Sequence, residues 1–208
     1  MHDDADRPPV RRAWAAVIAL NPADYHRQPW KNGGGVSELI ASAHEPGAAA
    51  AWQGLAWSFS RTGFQGPSAF SDLSGFERIQ LLASGRGLRL RALDSGPDIP
   101  LTPGIPVRFD GGRRLEGAPD GPVEVVNLMG RTGRVTLAMT LAGPGDGPRR
   151  FDGGTVLVHA PFGPVLLRAG TDRHELGKGW TLRADEAEVG IEVLEGRALV
   201  ATIGAVAR

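Results

Sequence analysis

One short segment of the chain combines residue types that bind anionic small molecules. It runs Trp30-Lys31-Asn32-Gly33-Gly34-Gly35 and continues to Glu38. Consecutive glycines let backbone N–H groups approach a ligand closely and form an anion-binding concavity. Lys31 would add a positive charge, and Asn32 a donor and an acceptor. Asn-Gly is also a common tight-turn sequence, so a hairpin turn without a ligand is the alternative interpretation.

The histidines do not have the spacing of a metal site. Metal-binding β-barrels combine closely spaced imidazoles with a carboxylate. Here no two histidines lie within four residues of each other; they are His2, His26, His44, His159 and His174. His174 and Glu175 are adjacent, but neighbours on a strand point to opposite faces. We predict no metal and no cofactor, with a distant His159–His174 pair as the alternative.

Other kinds of chemistry have little support in the sequence. The chain has no cysteine, which excludes disulfides, thiolate ligands and a Cys nucleophile. It has no Gly-x-Ser-x-Gly elbow, and Gly85-Arg86-Gly87 lacks the Lys-Ser/Thr ending of a phosphate-binding loop. With 23 basic and 23 acidic residues, the chain lacks the positive field that drives nucleic-acid binding. We therefore expect no nucleic-acid partner.

The elements that must position these residues are short strands. Apolar side chains alternate with polar or small ones, a period of two that is typical of half-buried strands. The clearest runs are Leu55-Trp57-Phe59, Leu88-Leu90-Ala92, Val135-Leu137-Met139-Leu141, Val189-Ile191-Val193 and Leu199-Ala201-Ile203. No segment keeps an apolar repeat of 3.6 residues over three turns. Many closely spaced strands predict an all-β sandwich or barrel.

The predicted organisation is two barrels joined by a connection. Residues 1–12 are polar and predicted to be frayed, residues 13–142 form a first barrel, and residues 155–208 form a smaller second one. The Gly- and Pro-rich stretch 143–154 separates them, or is a long surface loop. Ala13 to Leu20 is too short an apolar run for a signal peptide and is predicted to be the first strand. No stretch approaches the roughly 20 apolar residues of a membrane span, so we expect a cytoplasmic protein without a membrane partner.

Four blocks of sequence resemble the HutD/Ves family. The first is LNPADYHRQPW followed by WKNGGGVSE, and it is the most specific. The others follow in the family's order, between about residue 17 and about residue 142. They are Ala56-Trp57-Ser58-Phe59-Ser60, then Gly66-Pro67 with Phe70-Ser71 and Gly75-Phe76-Glu77-Arg78, and finally Gly121-Pro122 with Asn127-Leu128-Met129-Gly130-Arg131. The chain departs from the pattern at three charged positions, which are Ser58, Gly112 and Val125, and has Ser68 and Ala69 inserted.

The resemblance implies a fold and a role. The fold is two cupin-like β-barrels of the bicupin, or double-stranded β-helix, type, with a small-molecule pocket and often a homodimer. The role is that of an accessory or regulatory protein of histidine utilisation. Such a protein would sense a carboxylated metabolite of histidine degradation, similar to formyl- or formimino-glutamate.

The resemblance and the chemistry of carboxylate binding assign roles to side chains. Arg78 is the first choice for a carboxylate because its planar donors match one bidentately. Ser60 and Asn127 would supply neutral hydrogen bonds, and Glu38 would accept from an amine or hold Lys31. Trp30 and Phe70 would be pocket walls or core. For Arg78, a surface ion pair with Glu77 or Asp72 is the alternative, and for Asn127 a buried turn amide.

Two other functions remain open at this point. A metal-free enzyme of this fold, acting as an isomerase, lyase or hydrolase, would need a general acid or base, for which Glu38, His26 or Tyr25 would serve. The second alternative function is that of an interaction protein with a vestigial pocket, because the charged residues of the family are absent at three positions. We prefer the binding protein to both.

Overall fold

The computed structural model describes residues 17–30, 36–45, 47, 52–185 and 188–206. Over these ranges the chain forms strands, with two short 3-10 turns at Pro22–Asp24 and Trp52–Gly54 and no α-helix. No helix in the described part of the chain is long and apolar enough to cross a membrane. The predicted all-β class is confirmed.

Nineteen strands make up the described chain. The first eleven are β1 Val17–Leu20, β2 His26–Pro29, β3 Val36–His44, β4 Leu55–Phe64, β5 Ser68–Ala69, β6 Phe76–Ser84, β7 Leu88–Ala92, β8 Ile99–Leu101, β9 Val107–Asp110, β10 Leu115–Pro119 and β11 Val123–Arg131. The other eight are β12 Val135–Ala142, β13 Arg149–Phe151, β14 Thr155–His159, β15 Val165–Ala169, β16 Asp172–Leu176, β17 Thr181–Asp185, β18 Val189–Glu195 and β19 Ala198–Ala205. The alternating runs predicted from the sequence lie in β4, β7, β12, β18 and β19.

Four antiparallel sheets form two sandwiches. In the first sandwich a six-stranded sheet, ordered β2-β3-β4-β11-β6-β9 and called here the cavity sheet, faces a four-stranded sheet ordered β5-β10-β7-β8. In the second, a five-stranded sheet ordered β1-β17-β14-β19-β12 faces a four-stranded sheet ordered β13-β18-β15-β16. Each pair of sheets encloses an apolar cluster of its own.

A third apolar cluster, the central core, joins the two sandwiches. Phe59 and Leu128 of the cavity sheet pack in it with Leu157, Leu199 and Ala201 of the five-stranded sheet, and all five are fully buried. The protein is therefore built of four stacked layers, in which the two large sheets are covered by apolar contacts on both faces.

The period of two along β11 shows how this burial is achieved. Val126 and Leu128 point into the central core, while Val125 points into the first sandwich. Asn127 shares the face of Val125 and lines a cavity there. Successive strand residues point to opposite faces, so one strand supplies both the core between the sandwiches and the polar groups inside one of them.

Strand pairing divides the chain differently from the predicted boundaries. β1 pairs with β17, and β12 pairs with β19, so both belong to a sheet of the second sandwich although they lie within the predicted first barrel. The stretch predicted as a connection contains β13, which pairs with β18. Alternating patterns indicate where strands lie, but the partner of an edge strand is decided by surfaces far away in the sequence.

Gly196 turns the chain from one sheet of the second sandwich into the other. It has a φ of +78°, and a Cβ there would lie 2.3 Å from the carbonyl oxygen of Pro164. A positive φ is readily adopted only by glycine. The Glu195-Gly196-Arg197 turn therefore depends on this residue to connect β18 to β19.

We expect Phe59→Ala to destabilise both sandwiches together. Phe59 is completely buried in the central core, and its truncation would remove contacts shared by the two large sheets. Large-to-small substitutions of this kind cost about 3–5 kcal/mol. Urea unfolding followed by tryptophan fluorescence should show one transition at a lower midpoint. Ile18→Ala is the control, since Ile18 is 56% exposed; a second transition that stays unshifted in Phe59→Ala would contradict the shared core.

Candidate functional site

A cavity of about 70 Å³ lies inside the first sandwich. Its floor is formed by inward-facing residues of β4, β6 and β11, which are Ser60, Arg78, Gln80 and Asn127. The volume corresponds to on the order of five water-sized sites, which suits a compact polar ligand.

Arg78 is the charged group of this cavity. The residue is only 8% exposed, and its Nε and Nη2 atoms donate to Oδ1 of Asn127 at 3.2 and 3.0 Å. Its guanidinium carbon lies 4.8 Å from the ring centre of Phe70 and 5.2 Å from that of Phe109. Aromatic faces attract cations, and more strongly where water is excluded.

Burial changes the electrostatics of this arginine without discharging it. Removal from water lowers the pKa of Arg78 to about 10, because desolvation penalises the charged form. The guanidinium therefore stays positive at neutral pH. Among the described residues, its hydrogen-bond and cation–π partners are one neutral amide oxygen and two aromatic faces.

The surface ion pair proposed as an alternative for Arg78 is wrong. Glu77 pairs instead with Arg108, since adjacent residues of β6 point to opposite faces. Oδ1 of Asp72 accepts from the backbone N–H and the hydroxyl of Ser74. Among the described residues, Arg78 forms no ion pair with a carboxylate.

Asn127 lies at the centre of the polar floor. In the cavity sheet it is directly opposite Ser60 on β4 and Gln80 on β6. Its Oδ1 accepts from Nε2 of Gln80 at 3.2 Å in addition to the two bonds from Arg78. The turn amide proposed as an alternative is wrong, because Asn127 lies within a central strand and pairs with side chains.

Aromatic rings form the walls of the cavity. Trp30 packs against Phe64, with ring centres 5.4 Å apart, and its Nε1 donates to Oγ of Ser37 at 2.9 Å. Phe70 stacks on Phe64 with ring centres 5.8 Å apart. Its backbone N–H donates to the carbonyl oxygen of Leu115 at 2.9 Å. Trp30 and Phe70 thus line the cavity and also pack against the apolar cluster of the first sandwich.

The glycine-rich part of the prediction cannot be compared with the structure. Lys31, Asn32, Gly33, Gly34 and Gly35 lie outside the described residues. Trp30, immediately before this segment, and Ser37, two residues after it, both line the cavity.

Glu38 does not line the cavity. Its Oε2 accepts from Nε of Arg61 at 2.6 Å, directly across β3 and β4. The guanidinium of Arg61 also lies 5.5 Å from the ring centre of Tyr25. Adjacent residues of a strand point to opposite faces, and Ser37 faces the cavity. Glu38 therefore forms its ion pair on the opposite face of the cavity sheet.

Tyr25 and His26 are also outside the cavity. The Tyr25 hydroxyl donates to the carbonyl oxygen of Gly179 at 2.6 Å and lies 2.9 Å from Oγ1 of Thr181. Burial raises the pKa of the Tyr25 phenol. His26 is exposed and borders, with His44, an adjoining surface groove that shares Gln28, Trp52 and Ser58 with the cavity lining. Tyr25 thus connects the chain before β2 to the second sandwich.

His159 is buried and His174 is half-buried, and they lie in different sheets of the second sandwich. Nδ1 of His159 lies 2.9 Å from Oγ1 of Thr181, and the ring of Phe59 meets it edge-on at 5.7 Å. Burial, and then the charge of Arg61, lowers the pKa of His159 to about 3. His174 lies on β16. No group of three or more His, Cys, Asp or Glu side chains in the described part of the chain is placed to hold a metal ion.

The three positions where family charges are missing lie in different surroundings. Ser58 lines the cavity, whereas Val125 is completely buried in the apolar cluster of the first sandwich. Gly112 follows β9, where an added Cβ would lie 2.7 Å from Oγ of Ser74. The inserted Ser68 and Ala69 form β5, which pairs with β10 immediately before Phe70. Of these changes, only the one at Ser58 alters the lining of the cavity.

Sequence reasoning missed Gln80 and Phe109. Gln80 follows Arg78 by two residues, and the period of two places both on the cavity side of β6. That spacing is a signal that could have identified it. Phe109 pairs with Arg78 across β6 and β9, and nothing in its local sequence indicates that contact.

The chain resembles one protein family over most of its length. The model of the HutD family matches residues 22–201. An uncharacterised 21.2 kDa protein in the hutC 3′ region of Pseudomonas putida is 36% identical over 92 residues. That match covers 44% of this chain and 46% of the relative, so it spans a little under half of that protein.

Solved structures share the fold. HutD from Pseudomonas fluorescens is 24% identical with a TM-score of 0.75, over 92% of this chain and 100% of that one. A conserved protein of unknown function from Pseudomonas aeruginosa is 22% identical with a TM-score of 0.77, over the same shares. Salicylate 1,2-dioxygenase from Pseudoaminobacter salicylatoxidans is 7% identical with a TM-score of 0.57, over 95% of this chain and 83% of that one. At these identities the likeness concerns the fold alone.

Acid should destabilise the protein through His159. The unfolded chain protonates this imidazole near pH 6.5, whereas burial keeps the folded form neutral down to about pH 3. The unfolded state therefore binds more protons within this window, and the free energy of unfolding falls as the pH is lowered through it. The contribution is at most about 1.4 kcal/mol per pH unit.

His159→Asn should flatten this pH dependence while keeping a partner for Thr181. The measurement is urea unfolding at several pH values between about 4 and 6.5. This window lies between the pKa of His159 in the folded chain and its pKa in the unfolded chain. The matched control, His26→Asn, removes an exposed imidazole and should leave the slope unchanged. Equal slopes in the two variants would show that His159 is not held neutral by folding.

Proposed function

This chain belongs to the HutD family, and from that membership and the cavity geometry we propose that it binds a small carboxylated metabolite. The cavity of the first sandwich is the binding site, and Arg78 is its anion-binding residue. The role is that of an accessory or regulatory protein, and no metal takes part in binding. One observation carries the proposal: a buried guanidinium without a carboxylate partner among the described residues.

A buried cation of this kind is unfavourable unless something completes its surroundings. Moving a charge out of water is costly, and charged groups inside proteins are normally paired. Asn127 and the rings of Phe70 and Phe109 compensate for only part of the lost hydration. A ligand carboxylate would supply the missing negative charge. It would also accept hydrogen bonds from the guanidinium N–H groups that do not bond to Asn127.

The other cavity residues suit the rest of a small ligand. Hydroxyl groups of Ser58 and Ser60 line the floor, and the rings of Trp30 and Phe64 line the wall. A few placed polar groups within an apolar surround are typical of small-molecule sites. The volume of about 70 Å³ accommodates a carboxylate end and a few further atoms.

Histidine degradation is the metabolic setting that we propose. A solved neighbour is HutD, and a relative lies in the hutC 3′ region. Formyl-glutamate and formimino-glutamate, or similar metabolites, carry the carboxylates that Arg78 would bind. They are the first ligands to test.

The positions of the candidate acid and base residues favour binding over catalysis. Glu38 is paired with Arg61, Tyr25 with Gly179 and Thr181, and His26 borders the adjoining groove. None of the three lines the cavity. A general acid or base must reach the group that exchanges the proton. A vestigial pocket is also disfavoured, because an unused cavity would have no reason to retain an unpaired buried charge.

Arg78→Met should abolish ligand binding without unfolding the protein. With N-formyl-L-glutamate at about a hundred times its Kd, binding should stabilise the unsubstituted protein by about 2.7 kcal/mol, which raises Tm by about 5–10 °C for a chain of this size. Arg78→Met should lose this rise, and Arg78→Lys should keep a small part of it because an ammonium is not bidentate. The matched control is Arg86→Met, whose side chain is 79% exposed.

The same variants test whether the buried charge is kept for function. Without ligand, Arg78→Met should unfold at the same free energy as the unsubstituted protein or at a higher one, since replacing a buried charge by an apolar side chain is often neutral or stabilising. An unaltered ligand-induced rise in Tm in Arg78→Met would refute the proposed site. Calorimetric titration gives the affinities directly.

Asn127→Asp should block the site from within. The new carboxylate would face Nε and Nη2 of Arg78, which now donate to Oδ1 of Asn127, and would compete with any ligand carboxylate. We expect the unliganded Tm to be retained or raised and the affinity for N-formyl-L-glutamate to fall at least about tenfold. Equal affinity in Asn127→Asp would mean that the ligand does not bind beside Arg78.

A further inference from the structure

Gln80 is the most deeply buried polar residue of the cavity floor. It is 1% exposed, and its Nε2 donates to Oδ1 of Asn127 at 3.2 Å. Its Oε1 is also buried and has no hydrogen-bond partner among the described residues. Leaving a buried acceptor without a partner is unfavourable, so this atom needs a physical explanation.

The charge of Arg78 determines which way the two amides face. The guanidinium only donates, so Asn127 must turn its oxygen toward it. Gln80 must then present its NH₂ group to that same oxygen, because its own oxygen would be repelled there. The unpaired Oε1 therefore follows from the buried cation and does not depend on an arbitrary choice of amide orientation.

We infer that the cavity selects carboxylates that carry an N–H or O–H donor close to the carboxylate, with Oε1 of Gln80 as the acceptor. This inference rests on the proposed function, since Arg78 must bind the carboxylate. Both Arg78 donors and Nε2 of Gln80 lie within 3.2 Å of one oxygen atom. The two ligand groups must therefore be separated by only a few bonds, as in N-acylated amino acids and hydroxy acids.

The selectivity comes from the cost of an unsatisfied acceptor. A ligand with a donor gains a hydrogen bond to Oε1 inside a water-poor cavity. A ligand of the same shape with a methylene there leaves Oε1 buried and without a partner. Sites built around buried polar groups reject such analogues strongly.

The test compares N-acetylglycine with 4-oxopentanoate, which has the same carboxylate and acetyl group but a CH₂ in place of the N–H. Acetate is the probe for the carboxylate alone. Calorimetric or NMR titration of the full chain should show N-acetylglycine binding about tenfold more tightly than 4-oxopentanoate. Glycolate and propionate, which differ by a hydroxyl in place of a methyl, should show the same order.

Gln80→Met removes the acceptor while keeping a side chain of similar length. The ratio between N-acetylglycine and 4-oxopentanoate should fall to about one, because the acceptor that distinguishes the two probes is gone. Gln53→Met, at an exposed position outside the cavity, is the control and should keep the tenfold ratio. Gln80→Leu repeats the measurement if the methionine variant is unstable.

The outcomes separate this inference from the proposed function. Acetate binding that depends on Arg78, together with equal affinities for the two matched probes in the unsubstituted protein, overturns the inference alone. A tenfold ratio that survives in Gln80→Met overturns the assignment of Gln80. If none of the probes binds the unsubstituted protein, both the proposed function and the inference fail.

Discussion

Burial of the Arg78 guanidinium is the constraint on which the cavity depends. A cation inside a sandwich requires an oxygen in front of it and is stabilised by nearby aromatic faces, and Asn127, Phe70 and Phe109 meet these needs. The orientation of Asn127 then determines that of Gln80. The buried charge of Arg78 thus determines the orientation of both amides. It also leaves Oε1 of Gln80 without a hydrogen-bond partner among the described residues.

The cavity can be rigid because the sheet that carries it is packed on both sides. β11 lies between β4 and β6, and its side chains alternate between the cavity and the central core. A shift of Asn127 would have to displace Val126 and Leu128, which are fully buried against the second sandwich. Tight packing resists such movement, so the second sandwich supports the site without contributing the buried arginine or its partners.

The same architecture serves different chemistry in other proteins. The fold resembles that of salicylate 1,2-dioxygenase at only 7% identity, and function belongs to the site that a fold carries. In this chain two of the candidate acid, base or metal-ligand side chains have partners outside the cavity. His159 is a buried neutral group beside Thr181, and Glu38 is an ion-pair partner of Arg61. What the cavity retains is a cation, amides and hydroxyls, which are groups suited to recognition.

The sequence by itself determined the all-β class and the positions of the clearest strands, since a period of two is a local property. Its motif blocks also singled out Arg78, Asn127, Ser60, Phe70 and Trp30, all of which line the cavity. Only the tertiary structure decided that β1 and β12 join the second sandwich, that Glu38 faces away from the cavity, and that Gln80 and Phe109 surround Arg78. Arg78 and Asn127 are 49 residues apart. Contacts over such separations depend on which strands pair and in what register, and local alternation cannot specify either.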